Sequence, residues 1–204
     1  MIKRIFVLSI LSLLVISLLT SCERICRKWN ARSMKVGDKV DSLNGVYVYY
    51  NNSVGNVSGR NTTADGYNLG LKYQCVEFVK RYYFEHLDHK MPDSYGHAKD
   101  FFVKGHADGK LVKHRNLVQY TNPSASMPKV NDLLVYDGTT FNKYGHVAII
   151  SKVTDNEVEI IQQNPGSSGP SREIYKLIKK DGTWKIEQDK VMGWLRKETG
   201  TTTY

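Results

Sequence analysis

Two segments about seventy residues apart carry different hydrophobic patterns, and together they restrict the chain to a fold with both a packed helix and a buried sheet. From Gln74 to His86, apolar residues fall at Phe78, Val79, Tyr82 and Tyr83, with Val76 and Leu87 alongside. That is the spacing of one face of a helix, and it places Cys75 in the first turn. The run Gly145, His146, Val147, Ala148, Ile149, Ile150 reads instead as a buried strand with an imidazole at its start. A second short helix is predicted around residues 97–104. Further strands are predicted at 133–136, 146–153, 158–162, 173–178, 184–187 and 192–196, and from Leu117 onward the pattern is β. Residues 154–157 and Asp181-Gly182 supply hairpin turns, while the Gly-, Asn- and Ser-rich stretch 51–73 reads as a surface loop. Helices first and an antiparallel sheet afterward indicate an α+β domain.

The first residues stand outside this fold argument. Lys3 and Arg4 form a charged leader, and Ile5 to Leu19 an apolar stretch shorter than the roughly 20 residues needed to cross a bilayer. It runs through Leu19, Thr20 and Ser21 into Cys22, which resembles a bacterial lipobox. The resemblance implies cleavage after residue 21, lipidation of Cys22, and a protein tethered to an envelope membrane by acyl chains. Residues 22–44 are polar and basic, with Arg24, Arg27, Lys28, Arg32, Lys35 and Lys39, and read as a tether. The Thr-rich end, within 198–204, reads as a flexible tail.

The remaining length suits one domain with a single core. Net charge is +9 for the whole chain and falls to about +7 once Lys3 and Arg4 are removed, which favours anionic surroundings such as cell wall. Nucleic acid is not expected as a partner, because the Lys and Arg are scattered and no recognition motif appears. The three cysteines are Cys22, Cys26 and Cys75, too few for a disulfide framework if Cys22 is lipidated. A Cys26 to Cys75 bridge is compatible with the sequence and would block chemistry at Cys75.

A thiol at a helix N-terminus and an imidazole at a strand start are the parts of a cysteine nucleophile with a histidine base. The helix dipole and a neighbouring imidazolium are expected to make Cys75 a thiolate at neutral pH. The unpaired N–H groups of the first helical turn can donate to a developing oxyanion. A third group must fix the tautomer of His146. Alternation along residues 159–164 puts Gln162 and Asn164 on one face, from which either can reach the histidine. Lys80 and Arg81 are candidates for binding a substrate carboxylate, although Glu77 and Arg81 are spaced for an ion pair within the helix. No metal or other cofactor is expected: the other histidines lack ligand spacing, and the loop before Cys75 offers Asp65 without a run of carboxylates.

Residues 73–81 (Tyr-Gln-Cys-Val-Glu-Phe-Val-Lys-Arg), 145–149 (Gly-His-Val-Ala-Ile) and 162–164 (Gln-Gln-Asn) resemble the CHAP family of cysteine, histidine-dependent amidohydrolases/peptidases, in particular its glutathionylspermidine-amidase-like branch. Residues 128–136 and 193–196 are similar to strands of the same family. The resemblance spans roughly Asn44 to Arg196, with a catalytic domain expected over 45–197. It implies a papain-like (NlpC-type) cysteine hydrolase fold with N-terminal helices packed on an antiparallel β-sheet. It also implies Cys75 as nucleophile and His146 as general base. The family usually carries Glu-x-Asn in the third motif. Here Gln162 stands at the Glu position, where a neutral amide stabilises an imidazolium less than a carboxylate would, while Asn164 follows the pattern.

The function expected is that of a monomeric amidase or endopeptidase anchored in the bacterial envelope and cutting amide bonds of peptidoglycan peptides. The alternatives are hydrolysis of a small γ-glutamyl or polyamine amide, and a non-catalytic wall-binding lipoprotein, the last motivated by Gln162.

Overall fold

A computed structural model describes residues 33–93, 95–166 and 169–198. The leader 1–21, Cys22, Cys26, residues 22–32 of the tether and residues 199–204 of the tail lie outside the described residues. Among the described residues no helix is long and apolar enough to cross a membrane.

Twelve strands are described, all paired antiparallel, with the helix α1 (Cys75–Leu87) and one 3-10 turn (Ala98–Phe101). Strands β1 (Lys39–Leu43) and β2 (Val46–Tyr49) form one hairpin, and β3 (Arg60–Thr62) and β4 (Asn68–Leu71) another. The main sheet contains β5 (Lys110–Val112), β6 (Leu117–Thr121), β7 (Leu133–Tyr136), β8 (His146–Val153), β9 (Glu157–Ile161), β10 (Arg172–Lys180), β11 (Thr183–Ile186) and β12 (Val191–Arg196). Its order is β11-β10-β9-β8-β7-β12-β6-β5.

The sheet curls back on itself. Ser124, just beyond β6, exchanges backbone hydrogen bonds with Trp184 of β11 at 3.0 and 2.7 Å. The Asn122 amide stitches the same seam, donating to Ile186 O (3.0 Å) and accepting from Ile186 N (2.9 Å). Closure satisfies backbone groups that an open edge would leave exposed. It also explains why β7, Leu-Leu-Val-Tyr, is buried at every position. One face of the sheet packs Leu134, Ala148, Ile150, Val158, Ile160 and Trp194 inside the curl. The other packs Leu133, Val135, Val147, Ile149 and Ile161 against Phe78, Val79, Tyr82 and Tyr83 of α1.

The helix ends at Asp88, which adopts φ 45° and donates its N–H to Tyr83 O, a left-handed cap that stops propagation. Its N-terminal half lies close to β4. A Cβ at Gly70 (φ 132°) would sit 3.2 Å from Glu77 Cα, so glycine there permits the approach.

Strands at 133–136 and 146–153 coincide with the sequence reading, and β9 to β12 differ from it by one or two residues at their ends. Three regions differ more. The second helix is a single 3-10 turn. The segment 51–73 contains β3 and β4, and Asn68, Leu69 and Gly70 are buried. The end of the stretch read as a tether is β1, whose Asp41 pairs with Arg172 on β10 (Oδ2 to Nε, 3.0 Å). The strands in the last two regions were hidden because short strands in polar sequence gain their stability from pairing across the chain rather than from local pattern.

Candidate active site

The first turn of α1 and the first residue of β8 meet at one end of the sheet. Gln74 precedes the helix in extended conformation, and side-chain hydrogen bonds fix its position. Its Nε2 donates to Val54 O (3.0 Å) and Asn56 O (2.7 Å), its Oε1 accepts from Asn164 Nδ2 (2.8 Å), and its backbone carbonyl accepts from Gln163 Nε2 (2.9 Å). Cys75 follows as a free, half-buried thiol. The backbone N–H groups of Val147, the residue after His146, of Val76 and of Cys75 itself lie toward its sulfur and favour the thiolate.

His146 is placed by a tight turn. A Cβ at Gly145 (φ 75°) would fall 2.5 Å from Tyr136 O, so only glycine allows the chain to enter β8 here. Tyr136 is the register partner of His146, and the two rings stand 5.6 Å apart. His146 Nε2 bonds Gln162 Oε1 at 2.9 Å. The tautomer follows from what else Gln162 touches: its Nε2 donates to Pro170 O (3.1 Å) and Glu173 Oε1 (3.0 Å), both pure acceptors. The amide nitrogen must therefore face them, the amide oxygen must face the histidine, and His146 must carry its proton on Nε2. Nδ1 has no hydrogen bond among the described residues and is available as a base.

Asn164 does not reach His146. Its φ is 57°, and its side chain turns to Gln74 and Val54 O (3.4 Å). The alternation that grouped it with Gln162 ends with β9 at Ile161, and beyond a strand the two-residue period no longer holds. Between them, Gln163 points the other way and is fully buried. It accepts Tyr49 N–H (2.8 Å) and donates to Glu77 Oε2 (2.8 Å) as well as to Gln74. Glu77, also at 0% exposure, takes Asn61 Nδ2 (2.7 Å) and Arg81 Nε (2.6 Å).

The two residues considered for substrate binding are used internally. Arg81, 5% exposed, is paired with Glu77 and lies 4.9 Å over the Tyr49 ring. Lys80 is fully buried, donates to Asn68 O and lies 4.7 Å from the Tyr67 ring centre. Neither faces solvent from which a substrate could approach. Gln74, Gln163 and Glu173 were not singled out from sequence. The spacing of Gln74 and Gln163 to the two motifs was the available signal, whereas Glu173 enters only through the β9/β10 pairing.

Electrostatically the pair rests neutral. Burial pushes the Cys75 thiol up to about 11, against the three N–H groups that favour thiolate. Burial also pulls His146 down to about 4, against the Gln162 hydrogen bond and the Glu173 charge. The expected thiolate is thus overridden: removing a charge from water costs more here than the helix terminus returns. Among the described residues no group of three or more His, Cys, Asp or Glu could hold a metal ion.

Residues 64–164 match the CHAP domain. The chain is 31% identical over 136 residues to trypanothione synthetase of Crithidia fasciculata, covering 65% of this chain and 21% of that protein. It is 28% identical over 141 residues to the bifunctional glutathionylspermidine synthetase/amidase of Escherichia coli (strain K12), covering 62% and 22%. The chain thus spans about a fifth of the length of these curated relatives. Among solved structures, the crystal structure of Ly7917 with the hydrolyzing product of MDP is similar at 25% identity over 37% of this chain and 30% of that one, with a TM-score of 0.27, an overlap too small to bear on fold. Cys75, His146, Gln162 and Asn164 all fall inside the segment of this chain that matches the CHAP domain.

Proposed function

We propose that this chain is a cysteine amidohydrolase of the bacterial envelope that hydrolyses amide bonds in peptidoglycan peptides. The observation that carries the chemistry is the junction of α1 and β8: the Cys75 sulfur against the Val147 N–H, beside a histidine whose tautomer leaves Nδ1 unprotonated. In this reading His146 Nδ1 takes the thiol proton as sulfur attacks the amide carbonyl, so the ion pair forms only as the bond forms. First-turn N–H groups of α1 stabilise the oxyanion. The imidazolium returns the proton to the leaving amine as the C–N bond breaks. Water, deprotonated by the same nitrogen, then cleaves the thioester and restores the thiol.

The papain-like (NlpC-type) fold is part of this reading. It is supported by the family and by one helix carrying the cysteine against an antiparallel sheet carrying the histidine. The peptidoglycan substrate and the envelope location are supported by the lipobox-like residues 19–22 and the basic charge of the chain. A second reading is favoured by the relatives, one of which is named as a glutathionylspermidine amidase: hydrolysis of a small γ-glutamyl or polyamine amide.

The deciding experiment is digestion of purified peptidoglycan, and separately of glutathionylspermidine, by the full chain and by Cys75→Ala, with products identified by mass. Wall fragments released only by the wild type support the proposal. Cleavage of the small amide alone replaces it with the second reading, and cleavage of neither by either protein refutes both.

A further inference from the structure

We propose that Glu173, on β10, is the positioning carboxylate of this site, acting on His146 through the Gln162 amide. The inference rests on the reading of His146 as the base, and it concerns a residue outside the 64–164 segment that matches the family.

Register brings Glu173 to the site. Glu173 pairs with Ile160 across β9 and β10, so Gln162, two residues further along, is its diagonal neighbour on the same face. The contact is direct, Gln162 Nε2 to Glu173 Oε1 at 3.0 Å, and Gln162 in turn holds His146 Nε2 at 2.9 Å. The carboxylate does two things a water or a neutral acceptor would do less well. Together with Pro170 O it fixes the amide's orientation, since a flipped amide would set its oxygen against both acceptors and its nitrogen against the Nε2 proton. It also polarises the amide, so that negative potential is passed to the imidazole, and its own charge favours the protonated ring.

Glu173 is itself held in place. Tyr175 OH donates to its Oε2 at 2.6 Å, and Tyr136 OH lies 3.3 Å from Tyr175 OH. Burial and the Glu173 hydrogen bond hold the Tyr175 phenol well above its ordinary range, so it stays a donor. The line Tyr136, Tyr175, Glu173, Gln162, His146 is continuous and returns to the Tyr136 ring that packs beside the imidazole. The charge that a glutamate at position 162 would place against the histidine is thus supplied from the next strand, one amide removed.

The test uses the full chain labelled with 15N-histidine, because ring nitrogen shifts report tautomer and protonation of His146 without any substrate. The pH dependence of Cys75 alkylation by iodoacetamide is measured beside it. Wild type should show the Nε2–H tautomer alone. Glu173→Gln, of the same size, should keep that tautomer but lower the proton affinity of His146 about tenfold. Glu173→Ala should lower it at least as far while the Nε2–H tautomer persists, because Pro170 O still accepts from the Gln162 amide. The double variant Gln162→Glu/Glu173→Gln, which moves the carboxylate to the histidine directly, should restore that affinity. Where amide cleavage is measurable, kcat should fall about tenfold in Glu173→Gln with KM unchanged. An unchanged His146 titration in folded Glu173→Gln and Glu173→Ala would overturn the proposal, as would failure of the double variant to restore the proton affinity. Failure of the proposed function would appear separately, as absence of cleavage by wild type with the nitrogen spectra as described.

Discussion

Gln162 and Gln163 are neighbours with the same side chain and opposite tasks. Gln163 faces α1 and closes a buried network with Glu77, Arg81 and the Gln74 carbonyl, which sets the helix end carrying Cys75. Gln162 faces the inner side of the curled sheet and joins His146 to Glu173. The cysteine side is held by a fully buried ion pair, and the histidine side by an amide whose charge partner is half-buried. One short segment after β9 therefore positions both halves of the site, and the difference between them predicts that mutations on the two sides will fail in different ways.

The largest effect is expected at the reacting atom itself. Cys75→Ala should reduce amide hydrolysis by at least about a thousandfold while leaving the thermal midpoint near that of wild type. A comparable loss of rate from folded Gln163→Ala would erase the distinction between chemistry and scaffold.

Breaking the cysteine side should show in stability. Glu77→Ala strands the buried Arg81 guanidinium and the Gln163 amide, and it should cost about 3–5 kcal/mol, read as a fall in the denaturant midpoint. A loss below about 1 kcal/mol would mean that water replaces the carboxylate and that the network is not what fixes the helix.

On the histidine side Gln162→Ala should lower kcat by roughly 10- to 100-fold with a smaller loss of stability than Glu77→Ala. Equal stability losses from the two substitutions, with kcat retained in Gln162→Ala, would contradict the comparison.

The pH dependence sharpens it with the smallest effect. His146 binds a proton at about 4 in the folded chain against an ordinary 6.5. The unfolded chain therefore holds more protons between those values, and this contribution to stability is complete above pH 6.5 and is lost as pH falls toward 4. Cys75 has the opposite sign: its thiol is pushed from 9.0 to about 11, so stability is complete below pH 9 and is lost as pH rises toward 11. Replacing His146 by Gln should flatten the acid limb and leave the alkaline one. Alkylation of wild-type Cys75 should keep rising above pH 9; a rate independent of pH between about 5 and 8 would instead indicate a preformed thiolate-imidazolium pair.

Much of the frame was legible because it is periodic. The face Phe78, Val79, Tyr82, Tyr83 identifies α1, and the continuous apolar runs identify β7 and β8, since both patterns record a core that is buried whatever the details of pairing. Cys75 and His146 could be singled out because each sits at the first residue of such an element. The hairpins β1/β2 and β3/β4 were not read: β1 and β3 are polar and take their order from contacts such as Asp41 with Arg172 and Asn61 with Glu77, whereas Val46-Tyr47-Val48-Tyr49 of β2 carries an alternating strand pattern that the sequence did offer. Nor could the sequence separate Gln162 from Asn164, since that depended on β9 ending at Ile161 and on a positive φ at Asn164.

What the sequence determined by itself, then, is which candidate reacting groups the chain offers and the kinds of elements that carry them, because local periodicity and residue chemistry suffice for both. Only the tertiary structure decided their charge state, the histidine tautomer and the arrival of Glu173. Burial depends on what packs over a residue, and register depends on which strands pair, and neither quantity is contained in any short stretch of chain.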